Sequence, residues 1–445
     1  MLQRVGETVD PKDAVVKIKD ACFPAPFASE LEYNSPVHGN WNIVHTGMLV
    51  PEAIQIYVCA DNCMRGVVLT AAEMNAADRF SFVIVEEQHV LNGNLEDITI
   101  EGVTDVLNKR GDHPKAVLLF TVCLHHFVGS NLTYIYDELE RRFPDICFIR
   151  CYMDPIMQKH GLTPDQKLRK AMYDPLPECE ADEKTVSVFG SDFLLDESSD
   201  IKRLLRRYGY TVRELPTCET WQDLLDMSKG RLFLDIYPAG KYGMETQARR
   251  LHRAHLYLPG SFDYEEIEQQ LKQLTDALGI PELSREKLDV ERSACEEVLA
   301  KAKALIGDMP ITLDYLYHPR PLGLAKYLLE HGFCVEAVYL DGVSPEEERA
   351  FYWLREHAPE LELRATIQPK MRLLPRNHEG KVLALGQKAA WFTQSPYFVN
   401  VVEGAGLYGF DGIRKMAELM IRAYEEEKEV EDLVVRKGWG CESCI

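Results

Sequence analysis

The sequence predicts an α/β protein made of three doubly wound, Rossmann-like parallel-sheet domains. Short apolar runs of strand length alternate with amphipathic stretches of helix length almost from end to end, which is typical of parallel sheets covered on both faces by helices. The chain has 445 residues, more than one hydrophobic core usually serves. Because the alternation recurs in three blocks, we expect three similar units rather than one large sheet.

The strands and helices can be predicted block by block. The main predicted strands are 54–58, 80–85, 116–121 and 146–151 in the first block, 185–190, 210–215 and 231–237 in the second, and 312–317, 334–340 and 381–385 in the third. Helical sequence at 264–306, interrupted near 279–281, connects the second block to the third. A long helix at 410–427 is predicted to end the last block.

Breaks in this pattern predict the domain boundaries. The stretch 174–184, DPLPECEADEK, is polar, acidic and proline-containing, as a linker or surface loop would be. We therefore predict an N-terminal, cluster-binding α/β domain at 1–180, a middle Rossmann-like domain at 181–285 and a C-terminal Rossmann-like domain at 286–445. The last of these would carry the terminal helix and a Cys-x-x-Cys tail.

Composition limits the location and the partners. The formal net charge is -21, whereas extended contact with nucleic acid or anionic lipid needs clustered Lys and Arg. The first 20 residues lack the pattern of a signal peptide, and no apolar stretch of about 18 residues follows. We therefore expect a cytoplasmic protein, with no membrane or nucleic-acid partner.

The twelve cysteines are expected to be metal ligands or buried thiols, because the cytosol keeps thiols reduced. The sharpest local signal is Cys59-Ala-Asp-Asn-Cys63, directly after the predicted strand 54–58. Parallel sheets bind ligands at the carboxyl ends of their strands, and two cysteines this close can reach one metal or two irons of a cluster. The spacing alone leaves metal ligation and a buried thiol pair equally open.

Cys123 follows the predicted strand 116–121 in the same way and leads into a loop that contains His125. Two strand ends that carry thiols would meet in one crevice. Cys22 precedes an aromatic, proline-containing segment and would reach the same crevice if that segment folds back over it. The alternative is that Cys22 has no role.

These residues occur in an order that resembles the component 1 subunits of nitrogenase and of nitrogenase-like reductases. The matching features are Cys22, VHG at 37–39, NCMRGVV at 62–68, TVC-x5-G at 121–129, FG at 189–190 and YGFDG at 408–412. The resemblance extends over nearly the whole chain. It implies three Rossmann-like domains and an iron-sulfur cluster, [4Fe-4S] or larger, held by three cysteines at a subunit interface. It also implies electron delivery by an ATP-hydrolysing iron protein.

The resemblance suggests a residue for each of the three cysteine positions that hold the cluster. Cys123 matches the third ligand, because the Gly129 turn follows at the expected place. Cys59 or Cys63 matches the second ligand. Cys22 is the candidate for the first.

A different alignment changes the first ligand. The register that best fits Cys63 to the second position brings Val37 or His38 to the first, in place of Cys22. His38 would then be a nitrogen ligand, although a single histidine more often serves as a hydrogen-bonding residue.

Two departures from the family pattern bear on the reaction. Molybdenum-type catalytic subunits carry a cofactor-binding cysteine after the strand where this chain has Asp235-Ile236-Tyr237. They carry a cofactor-binding histidine where this chain has Phe398-Val399-Asn400. The resemblance therefore implies a reductase whose substrate is not dinitrogen, with His38, His125 and Asp235 as candidate proton donors.

Two other classes of function stay open. A scaffold that assembles or carries a metallocluster would keep the thiolates and lose the catalytic cofactor ligands. A Rossmann-like protein that binds another ligand would share the architecture and bind no iron, since fold does not fix function.

Nucleotide chemistry is expected on a partner. The sequence contains no G-x4-G-K-[ST] motif, so ATP would be bound by the iron protein. Residues 404–409, GAGLYG, match G-x-G-x-x-G, but the chain ends before a complete dinucleotide-binding βαβ unit, which favours a tight turn. A second component 1-type subunit, either a copy of this chain or a paralogue, would complete the interface. Cys441 and Cys444 are either a redox or metal-relay pair or two exposed thiols without a role.

Overall fold

The computed structural model describes residues 14–27, 42–153, 161–431 and 433. The strands of this part of the chain are β1 Val15–Lys17, β2 Ala53–Cys59, β3 Phe80–Ile84, β4 Ala116–Val122, β5 Cys147–Met153, β6 Asp182–Phe189, β7 Thr211–Glu214, β8 Gly230–Asp235, β9 Ala254–Tyr257, β10 Pro310–Asp314, β11 Cys334–Leu340, β12 Glu362–Ala365, β13 Leu383–Leu385 and β14 Phe398–Val399. They alternate with helices, as the sequence pattern predicts.

The helices of the same residues are α1 Ile43–Met48, α2 Asp61–Glu73, α3 Glu87–Leu91, α4 Leu95–Lys109, α5 Cys123–Phe127, α6 Leu132–Arg142, α7 Pro164–Tyr173, α8 Asp200–Arg207, α9 Trp221–Asp226, α10 Lys241–Arg250, α11 Tyr264–Leu278, α12 Arg285–Ile306, α13 Pro321–Glu330, α14 Glu348–His357, α15 Gln387–Thr393 and α16 Gly409–Glu425. None of them combines the length and the apolarity that a membrane crossing needs.

The strands form three sheets. The first sheet has the order β3-β2-β4-β5 and the second β7-β6-β8-β9, and both are parallel throughout. The third sheet has the order β1-β12-β11-β10-β13-β14, in which only β1 pairs antiparallel to its neighbour. Two fully parallel sheets and a third that is parallel apart from β1, all interleaved with helices, confirm the predicted α/β fold class.

The chain divides into two compact units. The two-sheet unit comprises 35–192 and 211–257 and carries the first and second sheets, and the one-sheet unit comprises 1–34, 193–210 and 258–445 and carries the third. The domain boundaries predicted after residues 180 and 285 stay a prediction.

The central strands show why the sequence favours this fold. All seven residues of β2, AIQIYVC, and all seven of β4, AVLLFTV, are buried. Such continuous apolar runs are typical of parallel strands that have helices on both faces. Polar caps then define the helix boundaries: the Asp263 side chain accepts hydrogen bonds from the first turn of α11, and the helix ends at Gly279, where φ is +64°.

The G-x-G-x-x-G match forms a tight turn. Residues 403–406 all have positive φ angles, from 42° to 77°. A Cβ on Gly406 would lie 1.7 Å from the backbone oxygen of Leu194, so only glycine fits there. This geometry accounts for the glycines without a bound nucleotide.

Candidate functional site

Two neighbouring strands of the first sheet each lead into a cysteine. Cys59 is the last residue of β2, and Cys123 follows β4 as the first residue of α5. The two strands pair in parallel with level register, from Ala53 opposite Ala116 to Tyr57 opposite Phe120. Both cysteines therefore lie at the carboxyl edge of this sheet, on adjacent strands.

Cys63 lies on the same connection as Cys59 but in a different environment. It occupies the first turn of α2, where its N–H donates to the Ala60 carbonyl, and it is exposed. Cys59, at the end of β2, is fully buried. It packs within the apolar core that also contains Val67 of α2. Of the two thiols, that of Cys63 is open to a ligand.

Burial sets the protonation state of these thiols. Burial raises the pKa of Cys59 to about 12, and the nearby Cys63 and Asp61 contribute smaller effects in the same direction. Partial burial of the thiol and the Asp61 carboxylate also raise the pKa of Cys63. Without a metal, both are thiols at neutral pH, and metal ligation would release their protons.

His125 stabilises the turn that carries Cys123. Its Nδ1 accepts the Val122 N–H at 3.3 Å, and its Nε2 lies 3.1 Å from the Thr99 hydroxyl oxygen. Thr99 donates its own proton to the Leu95 carbonyl, so His125 carries its hydrogen on Nε2. Burial lowers the pKa of His125 to about 4, so at neutral pH the imidazole is neutral and both nitrogens are bonded.

The other predicted ligands belong to the one-sheet unit or fall outside the described residues. Cys22 is exposed and belongs to the one-sheet unit. His38, Cys441 and Cys444 fall outside the part of the chain that the structure describes.

The candidate donors on the first sheet are thiols. Among the described residues, no three His, Cys, Asp or Glu side chains converge as one metal ion requires. Soft sulfur donors at the edge of a parallel sheet fit iron-sulfur chemistry.

The second sheet has a buried carboxyl group at its own carboxyl edge. Its strand order reverses between β6 and β8, the point at which doubly wound sheets bind ligands. Asp235, the last residue of β8, is fully buried there. Its Oδ1 accepts the Tyr237 N–H at 3.1 Å, and its Oδ2 has no hydrogen-bond partner among the described residues. Burial raises the pKa of Asp235 to about 8, so it carries a proton at neutral pH.

Two glycines enclose Asp235. Gly190, which follows β6, has φ at +90°, and a Cβ on it would lie 2.1 Å from Asp235 Oδ1. A Cβ on Gly240 would lie 2.6 Å from the Gly190 Cα. Only glycines allow the backbone to pack this closely against the carboxyl group.

A buried ion network near the same strand end was not predicted from the sequence. Arg169 of α7 is fully buried, and its guanidinium contacts Asp165 at 3.0 Å and Asp192 at 2.6 Å. Asn42 donates to the second oxygen of Asp192 at 2.9 Å. Burial raises the pKa of Asp165 to about 6. The signal in the sequence was the i, i+4 spacing of Asp165 and Arg169 on one helix.

The fold and the strand-end cysteines define the class: a multi-sheet Rossmann-like protein with thiol donors at a ligand-binding edge. A family model for nitrogenase component 1 type oxidoreductases matches residues 79–381. Because the match covers more than half of the chain, this protein belongs to the nitrogenase component 1 type oxidoreductase family, as the sequence resemblance predicted.

Solved structures agree with this assignment at the level of fold. A structure described as nitrogenase Cp1 at pH 6.5 superposes with a TM-score of 0.65 at 13% identity, covering 89% of this chain and 94% of that one. A second, described as nitrogenase Cp1 at pH 5, has a TM-score of 0.59 at 12% identity and covers 93% and 94%. No curated protein matches the chain in sequence.

Proposed function

We propose that this chain is the cluster-holding component of a nitrogenase-like reductase that receives low-potential electrons from an ATP-hydrolysing iron protein. The observation that carries the proposal is the pair of neighbouring strands β2 and β4, each leading into a cysteine, in a member of this oxidoreductase family. When bound, an iron-sulfur cluster supplies one-electron transfer at low potential. The substrate is a molecule other than dinitrogen.

The cysteines take different roles in this proposal. Cys63 and Cys123 are the proposed ligands of the first sheet, since Cys63 is exposed in the helix after β2, and Cys123, which is buried, begins the helix after the neighbouring strand β4. Cys59 lies in the apolar core and supports the turn. His125 is a positioning residue, because it bonds the N–H of the residue before Cys123. Cys22 stays the predicted first ligand.

The surface around Cys63 is suited to a protein partner. Val68 and Leu69, on the same helix, are 41% and 54% exposed. Exposed large apolar side chains on the helix that carries a proposed ligand favour burial of part of this helix against another subunit. A second component 1-type subunit, identical or paralogous, would cover this surface.

Asp235 is the proposed proton donor. A carboxyl group that stays protonated at neutral pH can deliver a proton during reduction and recover it from solvent. Its position at the strand-order reversal of the second sheet is where such a fold binds ligands.

Metal analysis tests the cluster assignment. We expect stoichiometric iron and acid-labile sulfide in anaerobically purified protein, and a paramagnetic signal after dithionite reduction. Cys63→Ala and Cys123→Ala should each lose most of the iron. The matched controls are Cys334→Ala, an exposed cysteine, and Cys151→Ala, a buried one. Equal iron in all four variants, or none in the wild type after reconstitution, would refute the assignment.

The second candidate is a scaffold that assembles or carries a metallocluster. The observation that favours it is Asp235. This residue provides a protonated carboxyl group at the place where molybdenum-type catalytic subunits carry a cofactor-binding cysteine. The two functions separate in one assay with the iron protein and ATP. Repeated substrate reduction identifies the enzyme, whereas cluster transfer to an acceptor protein without turnover identifies the scaffold.

A further inference from the structure

A pocket of about 410 Å3 opens in the two-sheet unit, and cations line it. Arg150 of β5 contributes one charge, and Lys167 and Lys170, which are neighbours on one face of α7, contribute two. Its volume falls within the range of small-molecule sites. We propose that this pocket binds a small organic polyanion with two or more phosphate or carboxylate groups.

The charge balance supports an anionic ligand. Among the described residues that line the pocket, Asp174 is the one acid beside the three cations Arg150, Lys167 and Lys170. Its contact with Lys170, at 3.9 Å, is long, and its carboxylate also accepts a hydrogen bond from Gln247. The chain as a whole has a formal net charge of -21, so this cationic lining departs from the average charge of the protein.

The remaining walls suit the organic part of such a ligand. The rings of His126 and Tyr152 lie 5.8 Å apart, and Leu132 and Ala171 supply apolar surface. Arg150 stacks over the Tyr136 ring at 4.7 Å, and this contact holds its guanidinium in place. A planar guanidinium held this way is suited to bidentate contact with phosphate or carboxylate.

The site goes beyond the proposed redox function. His126 is three residues after Cys123 on α5, so a bound anion would touch the helix that begins with a proposed cluster ligand. Binding itself needs no cluster, and it can be measured on protein that contains no iron.

Titration calorimetry at constant ionic strength tests the proposal with pyrophosphate and with citrate. We expect saturable binding of at least one probe, weakened about tenfold or more in Arg150→Gln and in Lys170→Gln. Lys109→Gln removes the same charge from an exposed position on α4 and should leave the affinity unchanged. Tighter binding of pyrophosphate identifies a phosphate ligand, and tighter binding of citrate a carboxylate ligand.

Two results would overturn the site. One is the absence of saturable heat with both probes. The other is an equal loss of affinity in Lys109→Gln and in the pocket variants, which would mean a response to net charge alone. Arg150 is exposed, so its substitution leaves the core intact, and circular dichroism of each variant verifies the fold.

Discussion

Asp235 and Asp314 occupy equivalent positions in different units and have different chemistry. Each ends a central strand, β8 or β10, and each is buried beside a glycine with positive φ, Gly190 or Gly386. Asp314 accepts three backbone N–H groups at 2.8 to 2.9 Å, whereas Asp235 accepts one at 3.1 Å. Burial raises both pKa values, to about 6 for Asp314 and about 8 for Asp235.

The number of backbone donors explains the difference. Each N–H that points at a carboxylate stabilises its charged form and offsets part of the desolvation penalty. Asp314 is therefore mainly a structural carboxylate at neutral pH, which ties the ends of its strands together. Asp235 is mainly a neutral acid, and its Oδ2 has no hydrogen-bond partner in the part of the chain that the structure describes. This state makes it the candidate for proton transfer.

The largest effect is expected from Gly386→Ala. A Cβ there would lie 2.3 Å from Asp314 Oδ1, at a φ of +111°, so the methyl group must displace the carboxylate from its three donors. We expect a loss of about 4 kcal/mol in the free energy of unfolding, measured by urea denaturation. Gly380→Ala, at a φ of +84° in open space, should cost about 1 kcal/mol. Equal losses in Gly386→Ala and Gly380→Ala would show that backbone strain alone accounts for the loss of stability.

Replacing the two aspartates by asparagine tests the donor count directly. Asparagine offers one acceptor oxygen, so Asp314→Asn leaves a buried N–H unsatisfied and should cost about 3 kcal/mol. Asp235→Asn replaces a protonated acid by a neutral amide of the same shape and should cost about 1 kcal/mol or less at pH 6. The measurement is urea denaturation of both variants at that pH. Equal costs would remove the distinction between the two sites.

The pH dependence of Asp235→Asn gives the smallest effect. Unfolded aspartate loses its proton near pH 4, and folded Asp235 loses it near pH 8, so the carboxyl group reduces wild-type stability progressively as the pH rises through that window. Asp235→Asn should therefore gain about 2 kcal/mol relative to the wild type between pH 6 and 8. The Asp314→Asn difference should stay nearly constant there, because Asp314 titrates near pH 6. A flat Asp235→Asn difference would mean that Asp235 is already ionised.

The fold was largely predictable, and the site only in part. Buried runs such as β2 and β4 carry their own signal, because a strand covered on both faces must be apolar throughout. The positions of Cys59 and Cys123 at strand ends followed from those runs. The ion pair between Arg169 and Asp192 could not be predicted in this way. Asp192 lies 23 residues away along the chain and contacts Arg169 only after folding.

The sequence by itself determined the alternation of strands and helices, the family, and which strands lead into cysteines. These depend on local composition and on short motifs, which act over a few residues. Only the tertiary structure decided that Cys63 is exposed while Cys59 is buried, that cations meet around one pocket, and that Asp235 keeps its proton where Asp314 loses it. Burial is set by segments distant in the chain, and so is the Ala389 N–H that binds Asp314, whereas the N–H groups of Tyr237, Leu316 and Tyr317 are local donors. Burial and backbone donors together place the pKa values of two chemically identical side chains on opposite sides of neutral pH.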